Sequence, residues 1–323
     1  MKKIYIMMML VLTGMMAVAQ TSVWHGGRAV WTRGAGTESN PILIESADNL
    51  AYLAYVVNKG YDTKDLYFKL TIDIDLNGSE DLQWVPIGLG ERWFSEDGCD
   101  RGKPSGIHFY PHTCFLGHFD GGDHSISNIY IDNSELQYDD YAGLFGMAEG
   151  IREGEETYPA VIENVFVTSG YIKGHCCGGI VANGQYTTSV YNCWNGATII
   201  GTNTAWQNYG SGGIVGTNAY EIITCYNKGD VSGYAVGGII GTGGANLIEE
   251  CFNEGDVFGT YSGGIVGNGK MYGTVVINNC YNKGIISAEG SVPGSMPAGP
   301  AAGGIMSFIF QARNSAVSNC YNV

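Results

Sequence analysis

One pattern recurs along this chain: an apolar residue, two variable ones, Cys, an aromatic, Asn, and a Gly close behind. The strict copies are Val190-Cys193-Trp194-Asn195, Ile222-Cys225-Tyr226-Asn227, Ile248-Cys251-Phe252-Asn253, Ile277-Cys280-Tyr281-Asn282 and Val317-Cys320-Tyr321-Asn322. Ile126-Ile129-Tyr130 and Ile162-Val165-Phe166 keep the frame with an aliphatic residue in the Cys slot. A second pattern alternates with it: Gly178-Gly179-Ile180-Val181, Gly212-Gly213-Ile214-Val215-Gly216, Gly237-Gly238-Ile239-Ile240-Gly241, Gly263-Gly264-Ile265-Val266-Gly267 and Gly303-Gly304-Ile305-Met306. Self-similarity at tens of residues implies a stacked solenoid, in which each unit buries its apolar face against its neighbours. The shortest interval, Cys225 to Cys251, approximates one bare coil, and longer ones such as Cys280 to Cys320 carry their excess in loops.

Each unit reads as three short strands with Gly or Asn turns. In the cleanest, Gly237 to Gly241 is one strand, Leu247 to Phe252 the next and Asp256-Val257-Phe258 the third, with Asn253-Glu254-Gly255 as a left-handed corner. Parallel strands of successive coils would lie about 4.8 Å apart. The expected fold is therefore all-β: a single right-handed parallel β-helix with a short N-terminal capping helix. A propeller, built of antiparallel hairpins, would not need a repeated apolar-or-Cys slot.

The repeats occupy residues 67–323. Tyr67 to Leu76 alternates apolar and polar residues as a half-buried strand should, and 89–114 interrupts the pattern as a surface insertion. Residues 21–66 read as an N-terminal cap. Within it, Ser46 is a good N-cap, Asp48 suits the first turn, and Leu50, Leu53, Ala54 and Val57 fall at helical spacing before Gly60. Residues 1–20 have the form of a signal peptide: Lys2 and Lys3, an apolar run from Ile4 to Met16, and Ala17-Val18-Ala19 as the cleavage site. That run is too short for a membrane span. The mature chain is expected to be exported: secreted, periplasmic or at the cell surface.

A formal charge of -15 argues against nucleic acid, whose phosphates attract Lys and Arg. The composition suits an elongated, turn-rich, monomeric protein, with 50 Gly and 15% charged residues. Nine cysteines in an exported protein suggest disulfides. Yet Ile129 and Val165 share the slot of Cys193, Cys225, Cys251, Cys280 and Cys320, which predicts a ladder of buried thiols. One of Cys176 and Cys177 is expected to join it, and Cys99 and Cys114 flank the insertion as a candidate disulfide.

These residues resemble the GLUG-motif repeats of secreted bacterial adhesin-like proteins. Gly143-Leu144-Phe145-Gly146 matches the motif literally, and Asp73-Ile74-Asp75-Leu76, Trp84-Val85-Pro86-Ile87-Gly88 and Phe115-Leu116-Gly117-His118-Phe119-Asp120-Gly121 resemble the segment that precedes such repeats. The resemblance covers about residues 40 to 323. Related repeats flank the catalytic domain of bacterial IgA-cleaving metallopeptidases, but the zinc signature His-Glu-x-x-His is absent here. The resemblance implies a non-catalytic, adhesin-like role on a glycan or surface protein, with no cofactor.

Strand alternation sends the neighbour of an inward Cys outward. Tyr130, Phe166, Trp194, Tyr226, Phe252, Tyr281 and Tyr321 are thus expected to form an external strip able to stack on sugar rings. The alternative function is a polysaccharide lyase or hydrolase, with Asp73, Asp75, Asp120, Asp123 and His124 as acid–base candidates. A structural stalk is the third reading. No metal site is expected: His108 and His112 have four-residue spacing, but Pro111 opposes the helix that would align them. Asp230 and Asp256 follow equivalent turns and should stack one coil apart.

Overall fold

The computed structural model describes residues 20–89, 94–95, 98–99, 113–133, 141–153, 156–185, 187–204, 209–269, 275–290, 299–309 and 315–323. The apolar residue that opens each repeat explains how the chain winds. Ile162, Val190, Ile222, Ile248, Ile277 and Val317 form one column, each opposite the next in parallel register. The column runs back through Phe119 to Phe68. Its strands make a nine-stranded parallel sheet, from Ile42–Ile44 to Ala316–Ser318. A second nine-stranded sheet, from Thr21–Val23 to Tyr321–Asn322, carries the aromatic-Asn pairs. A third, of ten strands, and a fourth, of six, complete the wall. Apolar side chains of all four meet in one continuous core.

Each repeat thus contributes a fourth wall, and the Gly-Gly-Ile pattern is a bend rather than a strand. Val231–Gly237 belongs to the third sheet and Ile240–Gly243 to the fourth, with Gly238 and Ile239 turning between them. Ile180, Ile214, Ile239 and Ile265 at these bends are fully buried in the core. The two strands approach so closely that a Cβ on Gly237 would lie 2.0 Å from the Ile240 carbonyl oxygen. Tyr67 to Leu76 is likewise two strands, Tyr67–Leu70 and Asp73–Asp75, on different sheets.

The stretch Leu247 to Phe252, expected as one strand, is two, Leu247–Glu249 and Phe252–Asn253, with a corner between the first and second sheets. Left-handed backbone falls not at Asn253 or Gly255 but one residue before each Cys: Asn192, Thr224, Glu250, Asn279 and Asn319, with φ between 46° and 55°. Asn tolerates this region, whereas a β-branched or long side chain is strained there. The Asn192 amide also donates to Asn164 Oδ1 at 2.8 Å, and Asn319 to Asn279 at 3.2 Å. Thr224→Asn and Glu250→Asn are each expected to raise stability by about 1 kcal/mol, by relieving strain and extending this outer amide column. Urea unfolding of each variant checks it.

Near the N-terminus, Ala47–Asn58 is a helix. The Ser46 hydroxyl accepts a hydrogen bond from the Asn49 N–H at 3.1 Å, Leu50, Leu53, Ala54 and Val57 are buried, and Gly60 follows at φ 81°. Asn58 ties the helix to the solenoid, donating to the Pro86 carbonyl at 2.9 Å and accepting from the Gly88 N–H at 3.0 Å.

Candidate functional site

Two of the five acid–base candidates, Asp73 and His124, meet, and the described contacts of Asp73, Asp75 and Asp120 join one coil to the next. Asp73 and Asp75 flank Ile74 on one strand. Asp73 Oδ1 accepts from the Ser125 N–H at 2.8 Å and lies 3.4 Å from His124 Nδ1. Asp75 Oδ1 accepts from the Asn77 N–H at 2.8 Å and from Asn128 Nδ2 at 2.9 Å. Asp120 receives Lys69 Nζ at 2.6 Å, the Gly122 N–H at 2.8 Å and Asn164 Nδ2 at 2.9 Å. Asp123 occupies a left-handed turn position, φ 60°. The Ser125 backbone hydrogen bond holds the Asp73 carboxyl below its ordinary range. Burial pushes Asp120 the other way, but its bonds to Lys69, Asn164 and Gly122 outweigh it and the net shift is downward. Such carboxylates stay ionised, the form of a hydrogen-bond acceptor, base or nucleophile and not of a general acid.

The depressed values set the acid response. The stabilisation from Asp73 and Asp120 is fully present above the unfolded carboxylate pKa near 3.8 and is lost as pH falls through the lower folded values. Asp120→Asn is expected to flatten the loss of stability below about pH 4. Thermal unfolding between pH 2 and 7 reads this directly, and an unchanged acid limb would contradict it.

Asp230 and Asp256 do stack by one coil: Asp230 Oδ1 accepts the Asp256 N–H at 3.0 Å, and Asp256 Oδ1 the Ile285 N–H at 2.9 Å. Among the described residues no three His, Cys, Asp or Glu are grouped so as to hold a metal ion. His118 pairs instead with Glu163, 2.8 Å from Nε2 to Oε1. His108, His112 and the Cys99 side chain lie outside the described residues, and with them the Cys99–Cys114 pairing. Cys114 itself is buried.

The repeat's cysteines form a column at the corner between the first two sheets. The N–H groups of Cys225, Cys251 and Cys280 each point to the sulfur of the next coil's Cys at 3.4 Å. Burial drives the Cys225 and Cys251 thiols well above their usual pKa. Cys176 and Cys177 stand apart, on a strand of the third sheet. The neighbouring Asn residues form an interior column. Asn195, Asn227, Asn253 and Asn282 are fully buried, and each amide donates to the next coil's Asn Oδ1 at 2.6–2.9 Å, ending on Asn322. Each also donates to a carbonyl two residues on, as Asn253 does to Gly255 at 2.7 Å.

The aromatic column comprises Phe166, Trp194, Tyr226, Phe252, Tyr281 and Tyr321, in parallel register on the second sheet. Tyr130 is not part of it. It lies on Ile129–Asp132 of the third sheet and stacks on Tyr171 at 5.3 Å, because the residue paired with Phe166 is Ser125. The rings face outward, half-buried except for the exposed Tyr321, and from Trp194 onward they stack on each other, whereas Phe166 meets Trp194 tilted by 58°. Interplanar angles are 9° for Trp194–Tyr226, 3° for Phe252–Tyr281 and 7° for Tyr281–Tyr321, with centroids 6.1, 5.0 and 5.6 Å apart. Tyr226 and Phe252 approach to 4.2 Å. Ring faces are therefore spent on neighbouring rings, and the strip offers solvent mainly edges. A sugar needs a ring face, so the column is poorly built as a continuous sugar platform.

A concavity that the repeats did not announce lies between the helix and residues 81–89, with a volume of about 440 Å³. Trp24 and Trp84 meet edge-to-face in its wall at 5.6 Å. Their indole N–H groups are already used, on the carbonyls of Gly27 at 2.9 Å and Leu144 at 3.1 Å. Tyr55 and Leu82 add apolar surface, and the Arg28 guanidinium sits 4.3 Å over the Tyr55 ring.

No protein-family model matches the chain. It is 30% identical over 189 residues to a halomucin of Haloquadratum walsbyi, covering 58% of this chain and 2% of that protein. It is 29% identical over 154 residues to a proposed Gly-rich membrane protein of Evansella cellulosilytica, covering 47% of this chain. The chain spans only 14% and 2% of the lengths of these two curated relatives. Among solved structures it is similar to a Bacteroides ovatus protein proposed as an immunoglobulin A1 protease. The TM-score is 0.57 at 24% identity, covering 90% of this chain and 78% of that one. At that identity the likeness shows the fold: all-β, with parallel strands wound as a solenoid. Among the described residues, no helix is long and apolar enough to cross a membrane.

Proposed function

We propose that the chain is an exported, non-catalytic, adhesin-like β-helix that binds a glycan or a surface partner. The observation that carries this reading is the commitment of Asp73, Asp75 and Asp120 to hydrogen bonds that join coils, which leaves no free acid–base pair among them. The GLUG-like repeats and the leader at residues 1–20 support it, and so do the names of the two relatives, a halomucin and a membrane protein. In this reading the coils wind right-handed, as parallel crossovers do. In the same reading segment 21–66 closes the N-terminal end, its strands Thr21–Val23 and Ile42–Ile44 adding a coil in parallel register with Asp73–Asp75 and Phe68–Leu70 and its helix following the second of them.

The polysaccharide-active alternative makes an opposite prediction. Incubation of the mature chain with neutral and acidic polysaccharides should release neither new reducing ends nor unsaturated products. Chain shortening that disappears in Asp73→Asn would replace the binding reading with the enzymatic one.

A further inference from the structure

The groove beside the helix is a concavity in which exposed charge meets apolar surface. Its helix wall is one face: Ala51, Ala54, Tyr55 and Asn58 follow at intervals of three and four residues, and Lys59 lies four after Tyr55. The Arg28 guanidinium lies over the Tyr55 ring, so Arg28 and Lys59 both adjoin Tyr55 along one rim. Two cations on one rim stand out in a chain of net charge -15. Segment 81–85 lines the same groove, with Asp81, the half-buried Leu82 and the exposed Val85.

Much of the polar lining is already occupied. Both indole N–H groups donate to carbonyls. Asn58 uses both ends of its amide on Pro86 and Gly88, and Gln83 Oε1 accepts the Asp132 N–H at 2.9 Å. What the groove offers a ligand is an apolar wall, two cations and one carboxylate. A matching molecule needs an apolar face, an anionic group and hydroxyl donors for Asp81. A fatty acid has no donors for Asp81, and a neutral sugar has no anion for Arg28 and Lys59. A pyranose ring carrying a carboxylate has all three: axial C–H groups for the wall, a carboxylate for the guanidinium fork, and hydroxyls for Asp81. A volume of about 440 Å³ accommodates one or two such rings.

We propose that this groove binds a carboxylate-bearing sugar, a uronic or sialic acid unit of an extracellular glycan. The inference rests on the glycan-binding reading above and locates it at the junction of helix and solenoid. Single-unit affinity should be modest, with a dissociation constant on the order of 0.1–1 mM, and should weaken with added salt.

The test is calorimetric titration of the mature protein with glucuronic acid, N-acetylneuraminic acid, acetate and uncharged glucose. Binding of at least one acid, tenfold or more tighter than glucose, is expected. Arg28→Ala with Lys59→Ala should weaken it at least tenfold, while Asp81→Ala lowers the preference for the sugar over acetate. Both cations are exposed, so circular dichroism should be unchanged. Three results would overturn the site: equal binding of glucose and the acids, acid binding that survives loss of both cations, or no acid binding at 10 mM. If the double variant still binds intact polysaccharide, the groove is wrong and the glycan-binding reading stands. If the unaltered protein binds no glycan at all, both fall.

Discussion

Asn253→Ala should lower stability by about 3–5 kcal/mol, a large effect for a polar residue in a repeat. The amide is fully buried and makes three bonds: it accepts from Asn227 Nδ2 at 2.7 Å and donates to Asn282 Oδ1 at 2.7 Å and to the Gly255 carbonyl at 2.7 Å. Truncation removes all three and strands a donor and two acceptors where water does not reach, at about 1–3 kcal/mol for each unsatisfied group. Asn253→Asp keeps the shape but cannot donate, and it places a carboxylate against Asn282 Oδ1 and a carbonyl. Burial should raise that carboxyl's folded pKa above its unfolded value. The variant is then least damaged at low pH, where it is protonated, and loses stability as pH rises past the unfolded pKa. Asn322→Ala, at the exposed end of the column, should cost about 1 kcal/mol. Urea midpoints at pH 4 and pH 7 distinguish these cases, and a loss below about 1 kcal/mol for Asn253→Ala would show that the column does not hold the coils.

Gly238→Ala is expected to cost about 3 kcal/mol or more, or to prevent folding. The added Cβ would stand 2.2 Å from the Gly264 carbonyl oxygen and 2.3 Å from Asn253 Cγ. The first obstacle is backbone and cannot swing aside. The contact repeats in coils on both sides: Gly179 against Asn195, Gly213 against Asn227, Gly264 against Asn282 and Gly304 against Asn322. The two sequence patterns therefore touch across the interior, each bend resting on a buried amide. Gly238→Ala combined with Asn253→Ala should cost about 1 kcal/mol less than the sum of the two, because truncating Asn253 removes one of the two clashes. Strict additivity would deny the contact. Gly299→Ala, with no atom near its Cβ, is the matched control and should stay within about 0.5 kcal/mol.

The solenoid was legible because in-register columns repeat residue by residue, so Cys251 in one coil predicts Cys280 in the next. The alternation that turns Trp194 and Tyr226 outward was legible for the same reason. Face-to-face stacking of those rings was not, since it depends on a coil spacing near 4.8 Å that makes adjacent aromatics neighbours before any ligand arrives. Tyr130 falls outside the column because its coil carries four residues, Gly121 to His124, between Asp120 and Ser125 where the next coil has two, Asn164 and Val165, which shifts the frame. Asn253 reads as a turn residue because Asn with Gly two residues on is a general turn signal. Only the placement of Asn227, Asn253 and Asn282 above one another reveals an interior amide column. The groove joins residues from 24–28, 51–59 and 81–89, and no local pattern announces such a junction.

The measurement that bears most directly on the account is binding of the mature, unaltered chain to a glycan and mucin array, followed by mass analysis of whatever is retained. Retention of intact glycans enriched in uronic or sialic acid, reduced by salt, is the predicted result. Retained glycans that come off shortened or unsaturated, or an array on which nothing is held, would contradict it.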